Sequence, residues 1–331
     1  MKTLTNFLKY HFGGSNSQAT YAQMRKDYIE SKYDIVNKVC KVNGLLNPKY
    51  KIQESQGILG TLKNAEVSDI CKHIQKEGYY IFPNLASKEL VEDLKNFASH
   101  TPVHYLIPAE KSIAYSKESV KYAESKNLSN RYQILNISDL KNNEVSLKLA
   151  TDANFLHIAN NYLGAKPILD LIVFWWSNSL KNLHVDEATK DLLKNRSAQM
   201  FHVDMDRLKF LKFFVYLTDV DTTTGPHVYV KGTHNKIPSY IHKDGRYTDE
   251  QVSEHDAKNI IEINGKAGSI IAVDTRGLHK GKELEQGERL IFQIEFANSL
   301  FGNPQMPIVP EKLNYKGNSI YFDTYKLFFK K

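Results

Sequence analysis

Residues 198–234 read AQMFHVDMDRLKFLKFFVYLTDVDTTTGPHVYVKGTH. The segment holds three runs rich in apolar and aromatic residues, 198–204, 210–218 and 227–230, parted by polar, Gly- and Pro-bearing turns. Runs this short, bounded by turn residues, read as strands and not as helices. Outward from this segment the same grammar recurs at 168–177, 259–263, 269–273 and 289–297. That density of short strands predicts a closed or sandwiched antiparallel body of jelly-roll type.

Helices come first along the chain. Leu4, Phe7, Leu8 and Phe12 predict a short amphipathic helix stopped by Gly13-Gly14. Residues 16–42 carry a helical period through Tyr21, Met24, Tyr28, Ile35, Val36 and Val39, stopped by Gly44 and Asn47-Pro48. Tyr50 to Thr61 reads as a connection. A helix from Asn64 ends at Gly78, and Tyr79 to Phe82 is strand-like. Ser87 and Asp152 can cap further helices, the second stopped by Gly164. The polar stretch 100–150 reads as irregular structure, a flap over a site. The expected class is therefore mainly β with added helices: an N-terminal helical extension over 1–63, a jelly-roll body over 64–300 and a tail over 301–331 that packs on the core.

Composition bounds the function. The chain has 331 residues and 38.0 kDa, enough to bury a sizeable core. With 41% hydrophobic and 24% charged residues, wholesale disorder and collagen-like structure are excluded. No apolar run approaches the roughly 18–20 residues of a membrane helix. The most apolar stretch, Pro167 to Trp176, contains Asp170 and reads as a buried strand. The net charge of +7 suits an anionic small-molecule substrate, although a solvated lysine-rich surface accounts for it more simply. No basic cluster is dense enough to predict nucleic-acid binding. Two distant cysteines, Cys40 and Cys71, form neither a disulfide framework nor a zinc site. Met1 to Gly14 lacks a secretory core and cleavage site, so the expected compartment is the reducing cytoplasm. The oligomeric state stays open.

The chemistry-bearing residues are His202-Val203-Asp204, His279 and Arg289. Positions i and i+2 of a strand share a face, so His202 and Asp204 can meet one ion. His279 would close the set from a distant strand. Two imidazoles and one carboxylate make the facial triad of non-haem Fe(II) oxygenases. It leaves three positions open, two for chelation by a 2-oxo acid and one for O2. A second His-Val-Asp, His184-Val185-Asp186, precedes a polar helix-like run, so the strand-borne copy is the expected site.

Residues from about 65 to 297 resemble the phytanoyl-CoA dioxygenase family of Fe(II)/2-oxoglutarate oxygenases. The resemblance rests on motifs in the family's order. They are Ile74 to Tyr79, then His202-Val203-Asp204, then Leu217 to Val220 with Thr224-Gly225-Pro226-His227. Val230-Lys231-Gly232-Thr233-His234 and Gly268 to Ile271 leading to His279 follow, with Arg289 ten residues beyond. The resemblance implies a double-stranded β-helix core. It also implies Fe(II) on His202, Asp204 and His279, with O2 and 2-oxoglutarate as co-substrates. Arg289 would grip the far carboxylate of 2-oxoglutarate, which a planar guanidinium suits. An internal salt bridge of Arg289 to Glu295 or another acid is the competing reading. The reaction implied is hydroxylation of an unactivated C–H with release of succinate and CO2, and Asp204 argues against halogenation.

The chain departs from the family where Gly281 replaces a usual Ser or Thr two residues past the distal histidine, and where Lys231 replaces a proline. The second carboxylate anchor is then open, and Lys212 is the candidate, although such a lysine more often snorkels outward. Trp176 and Asn178 are further candidates for the pocket lining, with core packing the simpler role for the tryptophan. His227 and His234 read as satisfied structural histidines. Lys236 to Lys258 is a polar insertion that can shape substrate access. Two other readings compete: a cupin-type metal enzyme that does not use 2-oxoglutarate, and a non-catalytic binding protein on the same fold.

Overall fold

The run Phe210–Tyr216 is apolar on both faces but for Lys212, and it becomes an inner strand of a sheet covered on both sides. The computed structural model describes residues 2–83, 85–109, 112–304, 313–314, 323–325 and 329–330. In it two antiparallel sheets face one another as a jelly roll with added helices, a mixed α+β fold. The larger sheet has eight strands. Their order is Tyr79–Ile81, Ile270–Val273, Phe210–Tyr216, Glu288–Ala297, Ile168–Asn178, Arg131–Gln133, His104–Ala109 and Ser112–Tyr115. The smaller sheet places His227–Val230 between Ile260–Ile263 and His279–Gly281.

Alternation sorts the side chains of the large sheet. Phe174, Trp176, Phe213, Val215, Phe292 and Ile294 pack against the helices Asn64–Glu77, Lys88–His100 and Ala153–Leu163. Each such side chain, fully buried, contributes roughly 1.5–3 kcal/mol. The opposite face carries Phe214, Tyr216, Ile291 and Trp175 toward Tyr229 and Ile263 of the small sheet. The site lies between these layers.

Local signals set several boundaries. Ser87 accepts a bond from the Leu90 N–H, and Asp152 from Asn154 and Phe155, as capping predicts. Gly78 and Gly164 end their helices at φ 95° and 66°. Other expectations change. The predicted strand 198–204 shrinks to two bridges, Phe201 with Tyr247 and His202 with His279, because the chain turns away once those pairs are made. His279–Gly281 is an additional strand. The 100–150 segment is not irregular: three of its strands extend the large sheet, half-exposed and so without a clean apolar pattern. The 50–61 connection contains half of a hairpin, Glu54–Gly57 with Gly60–Lys63. The tail expected at 301–331 falls largely on 305–312, 315–322 and 326–328, outside the described residues.

The helical period of 16–42 splits into Gln18–Glu30 and Asp34–Leu46. Lys32 and Tyr33 turn there at φ 50° and 74°, a conformation that costs an ordinary residue roughly 1–2 kcal/mol. The turn plants the Tyr33 ring in the core, edge-on to Tyr28, with its hydroxyl donating to the Arg276 carbonyl. The Tyr28 hydroxyl donates to the Arg207 carbonyl at 2.6 Å, and the Tyr21 hydroxyl to Asp206 Oδ1 at 3.0 Å. Met24, Tyr28, Tyr33 and Val36 share one core with Phe201, Val203, Met205 and Leu278. The N-terminal helices therefore back the segments that carry His202, Asp204 and His279.

Beneath those segments Arg276 lies bidentate on Asp274, 2.6 Å away at Nη2, and the Tyr162 hydroxyl donates to the same carboxylate. Burial opposes the charge on Asp274, but Arg276 outweighs it and holds the carboxyl down to about 2. Asp274→Asn leaves a buried cation unpaired and is expected to cost about 3–5 kcal/mol in urea unfolding at pH 7. The folded value lies below the unfolded one near 3.9, so this stabilisation is complete above about pH 4 and lost as pH falls through about 2. The stability gap between wild type and Asp274→Asn should narrow across that window. A constant gap contradicts the assignment.

Candidate metal centre

His202 and His279 are joined by backbone before side chains enter. Each N–H donates to the other's carbonyl at 2.9 Å, an antiparallel pair in which both side chains project to one side. The imidazole centroids lie 4.3 Å apart. Asp204, two residues on, donates its N–H to the Thr275 carbonyl at 2.9 Å and returns its carboxylate to the same side. Oδ1 is 3.5 Å from His202 Nε2, and Oδ2 is 3.6 Å from His279 Nε2. All three ligand atoms lie within 4.8 Å of one another, the one such group among the described residues.

The donor chemistry fits a divalent cation. His202 Nδ1 lies 2.9 Å from the Met200 carbonyl, and His279 Nδ1 lies 2.9 Å from the Gly277 carbonyl. A carbonyl only accepts, so each Nδ1 carries the proton and each Nε2 offers a lone pair. Burial, then Arg246, pushes His202 down to about 3, and burial with the neighbouring His202 does the same to His279. Both rings are therefore neutral ligands at physiological pH. Burial opposes ionisation of Asp204, but Lys212 and the two imidazoles hold its carboxyl well below the usual range. The other His-Val-Asp is not a site. Asp186 caps the helix Glu187–Arg196 through the Thr189 N–H at 2.7 Å, and His184 is exposed.

The triad opens on a cavity of about 250 Å³ between the sheets. Its wall follows the register of the large sheet. Arg131, Ser177 and Arg289 form one row across three strands, and Gln133, Trp175, Ile291 and Tyr216 form the next. Arg289 is 3% exposed, and its Nη2 reaches Ser177 Oγ at 3.3 Å. Its Nε has no partner, and no carboxylate lies within ion-pair distance among the described residues. Burial, with the neighbouring Arg131 cation adding to it, pushes this guanidinium down to about 10. The competing salt bridge to Glu295 is not formed, because Glu295 faces Lys212 at 3.5 Å. A Cβ built on Gly281 would lie 3.4 Å from Arg289 Nη2, so glycine keeps that edge of the guanidinium clear.

Four expectations are corrected by the geometry. Lys212 does line the cavity, but its ammonium is committed to Asp204 Oδ2 at 2.6 Å and to Glu295, so it is not a free carboxylate anchor. Trp176 points to the helical face and stacks on Tyr122 at 4.1 Å. Asn178 shares that parity and accepts from the Tyr122 hydroxyl at 2.7 Å. The strand instead lines the cavity with Leu171, Val173 and Trp175. Arg131, Gln133 and Gln293 also line it and were not singled out from the sequence. Parity with Ser177, which pairs with Arg289, was the signal for Trp175, and it becomes visible only with the register. His227 is buried against His279 with a ring distance of 5.3 Å, and its Nε2 lacks a partner, so it is not the satisfied histidine expected. His234 does bond, through Nε2, to the Gln75 carbonyl at 3.1 Å.

Comparison with known proteins completes the site. The family model described as phytanoyl-CoA dioxygenase (PhyH) matches residues 74–285. No curated protein matches the chain significantly by sequence. Among solved structures, EctD from S. alaskensis with bound Fe is similar over 78% of this chain and 90% of its own, with a TM-score of 0.50 at 14% identity. HygX from Streptomyces hygroscopicus with nickel and 2-oxoglutarate bound covers 78% and 94%, with a TM-score of 0.47 at 12% identity. The α-ketoglutarate-dependent carbocyclase SnoK from nogalamycin biosynthesis covers 72% and 87%, with a TM-score of 0.49 at 12% identity. At such identity the EctD likeness speaks for a shared fold, and what each protein binds or makes belongs to that protein. The family match spans nearly two thirds of the chain and embraces all three ligand residues, so this chain belongs to the phytanoyl-CoA dioxygenase (PhyH) family of Fe(II)- and 2-oxoglutarate-dependent oxygenases.

Proposed function

We propose that the chain hydroxylates a small anionic molecule at an unactivated C–H, with His202, Asp204 and His279 as the Fe(II) ligands. One observation carries the reading: two neutral imidazoles and a carboxylate share a cavity with a buried guanidinium that has no carboxylate of its own. When bound, iron with O2 and 2-oxoglutarate supplies the oxidation, and the co-substrate leaves as succinate and CO2.

The chain's own residues bind and orient. Arg289 presents Nε and an open guanidinium edge to the C5 carboxylate, and the Ser177 hydroxyl beside it stands in for the one that Gly281 lacks. Lys212 donates to Asp204 Oδ2 and so holds the carboxylate plane, with Glu295 3.5 Å from the same ammonium. Trp175, Val173 and Ile291 wall the cavity and exclude water from the reacting centre. The backbone carbonyls of Met200 and Gly277 lock the imidazole tautomers. Cys40 and Cys71 are unpaired thiols, in keeping with a reducing cytoplasm, and no described helix is long and apolar enough to cross a membrane.

Two measurements test the reading. Fe(II) and 2-oxoglutarate added together under nitrogen should produce a visible charge-transfer band that neither gives alone, and His279→Ala should abolish it. If the wild type shows no such band, the assignment fails. Arg289→Ala removes a bidentate charged contact, each such hydrogen bond being worth about 1.5–3 kcal/mol. The KM for 2-oxoglutarate, followed by succinate release, should rise roughly 10–100-fold with a smaller change in kcat. An unchanged KM places the far carboxylate elsewhere.

A further inference from the structure

The chain has seven arginines. Three are paired with acids: Arg25 with Asp244, Arg207 with Asp170 and Arg276 with Asp274. The other four, Arg131, Arg196, Arg246 and Arg289, have no carboxylate within 4.0 Å among the described residues, and Arg131 and Arg289 line the metal cavity. Arg289 is accounted for by the co-substrate. The remaining three meet at the end of the helix Glu187–Arg196. Arg131 Nη2 donates to the Ser197 carbonyl at 2.6 Å, with its guanidinium over the Trp175 ring at 4.9 Å. Arg246 Nε donates to Asn195 Oδ1 at 3.3 Å. Arg196 lies between those two anchor residues and sits over the Tyr115 ring at 5.9 Å.

The bland account is a helix C-terminus attracting cations. It covers Lys194 and Arg196, which belong to the last turn, and Lys194 is already taken by Glu283 at 3.1 Å. It does not cover Arg131 and Arg246, which arrive from a sheet strand and from the 236–258 insertion. Arg246 also adjoins the metal ligands. Its neighbour Tyr247 pairs with Phe201, and its charge acts on both His202 and Asp204. The three cations repel one another, and Arg131 and Arg246 are held by neutral oxygens alone. Arg131 is half-buried with Nε unpartnered, so its donors are directed and unspent. Such an arrangement lowers stability unless a ligand supplies the opposing charge. Arg131 also lines the metal cavity and so links this group of arginines to it.

We propose that Arg131, Arg196 and Arg246 bind a dianionic phosphoryl group, a phosphate ester or a phosphonate, on the substrate. This deepens the proposed function and rests on it. Three guanidiniums on separate elements offer more donors than one carboxylate accepts, and two negative charges on three oxygens match them better than one charge on two.

The test uses the full chain loaded with Fe(II) and 2-oxoglutarate under nitrogen, so that Arg289 is occupied. Phenyl phosphate, phenylphosphonate and benzoate are titrated calorimetrically. At least one phosphoryl probe should bind tenfold or more tightly than benzoate, weaken with added salt, and lose tenfold or more in the Arg196→Gln/Arg246→Gln double variant. The tighter of the two names the source, ester or phosphonate. Benzoate binding as tightly as both, or a folded double variant binding like the wild type, overturns the proposal. A wild type without the charge-transfer band is a different failure, that of the oxygenase reading itself. Thermal unfolding of the ligand-free chain provides an independent readout. Relief of like-charge repulsion should leave the double variant at least as stable as the wild type, and a marked loss of stability would mean that these arginines are structural.

Discussion

The two backbone hydrogen bonds exchanged by His202 and His279 are the constraint on which the rest of the site depends. They join the 198–204 segment to a strand of the small sheet. In an antiparallel pair, directly opposed residues put their side chains on one face, so the bonds that fix register also fix the imidazoles side by side. A slip of one residue would send one of them to the opposite face. The carbonyls two residues before each histidine then choose the tautomer, which leaves a lone pair on each Nε2. Asp204 follows because its own N–H is tied to Thr275. Much of the construction is therefore main-chain geometry, with side chains in the roles that geometry allows.

That register needs a firm backing, and the backing comes from outside the family-matched region. Phe201, Val203 and Met205 alternate with the ligand residues and point into a core completed by Met24, Tyr28, Tyr33 and Val36. The positive-φ turn at Lys32–Tyr33 is the local cost of placing Tyr33 beneath the Arg276 carbonyl. The buried Asp274–Arg276 pair anchors the same loop from below. Electrostatics divides the molecule in a similar way. Arg25, Arg207 and Arg276 face acids, whereas Arg131, Arg196, Arg246 and Arg289 face neutral oxygens or aromatic rings. Lys212 is the exception within the cavity, tied to Asp204 and Glu295, and its pairing is what leaves Arg289 without an internal acid.

Much of this was legible in the residues themselves. Seven of the eight expected strands and the caps at Ser87, Asp152, Gly78 and Gly164 follow from local signals that a neighbour does not override. The spacing of His202 and Asp204 and the strand-like context of that copy set it apart from His184 and Asp186. The polar edge strands of 100–150 were not legible, since a half-exposed strand has no apolar alternation to read. The break at Tyr33 was not legible either, because the helical period continues across it and only a distant carbonyl rewards the turn.

Chain-local chemistry, then, established the elements, their ends and the ligand types, since propensity, capping and i, i+2 spacing act between near neighbours. Packing alone settled which of two adjacent tryptophans faces the cavity, which acid takes Lys212, and which arginines are left without a counter-charge. Those outcomes depend on strand register and on pairs far apart along the chain. Adjacent positions such as 175 and 176 are chemically equal until a partner strand assigns them to opposite faces of the sheet.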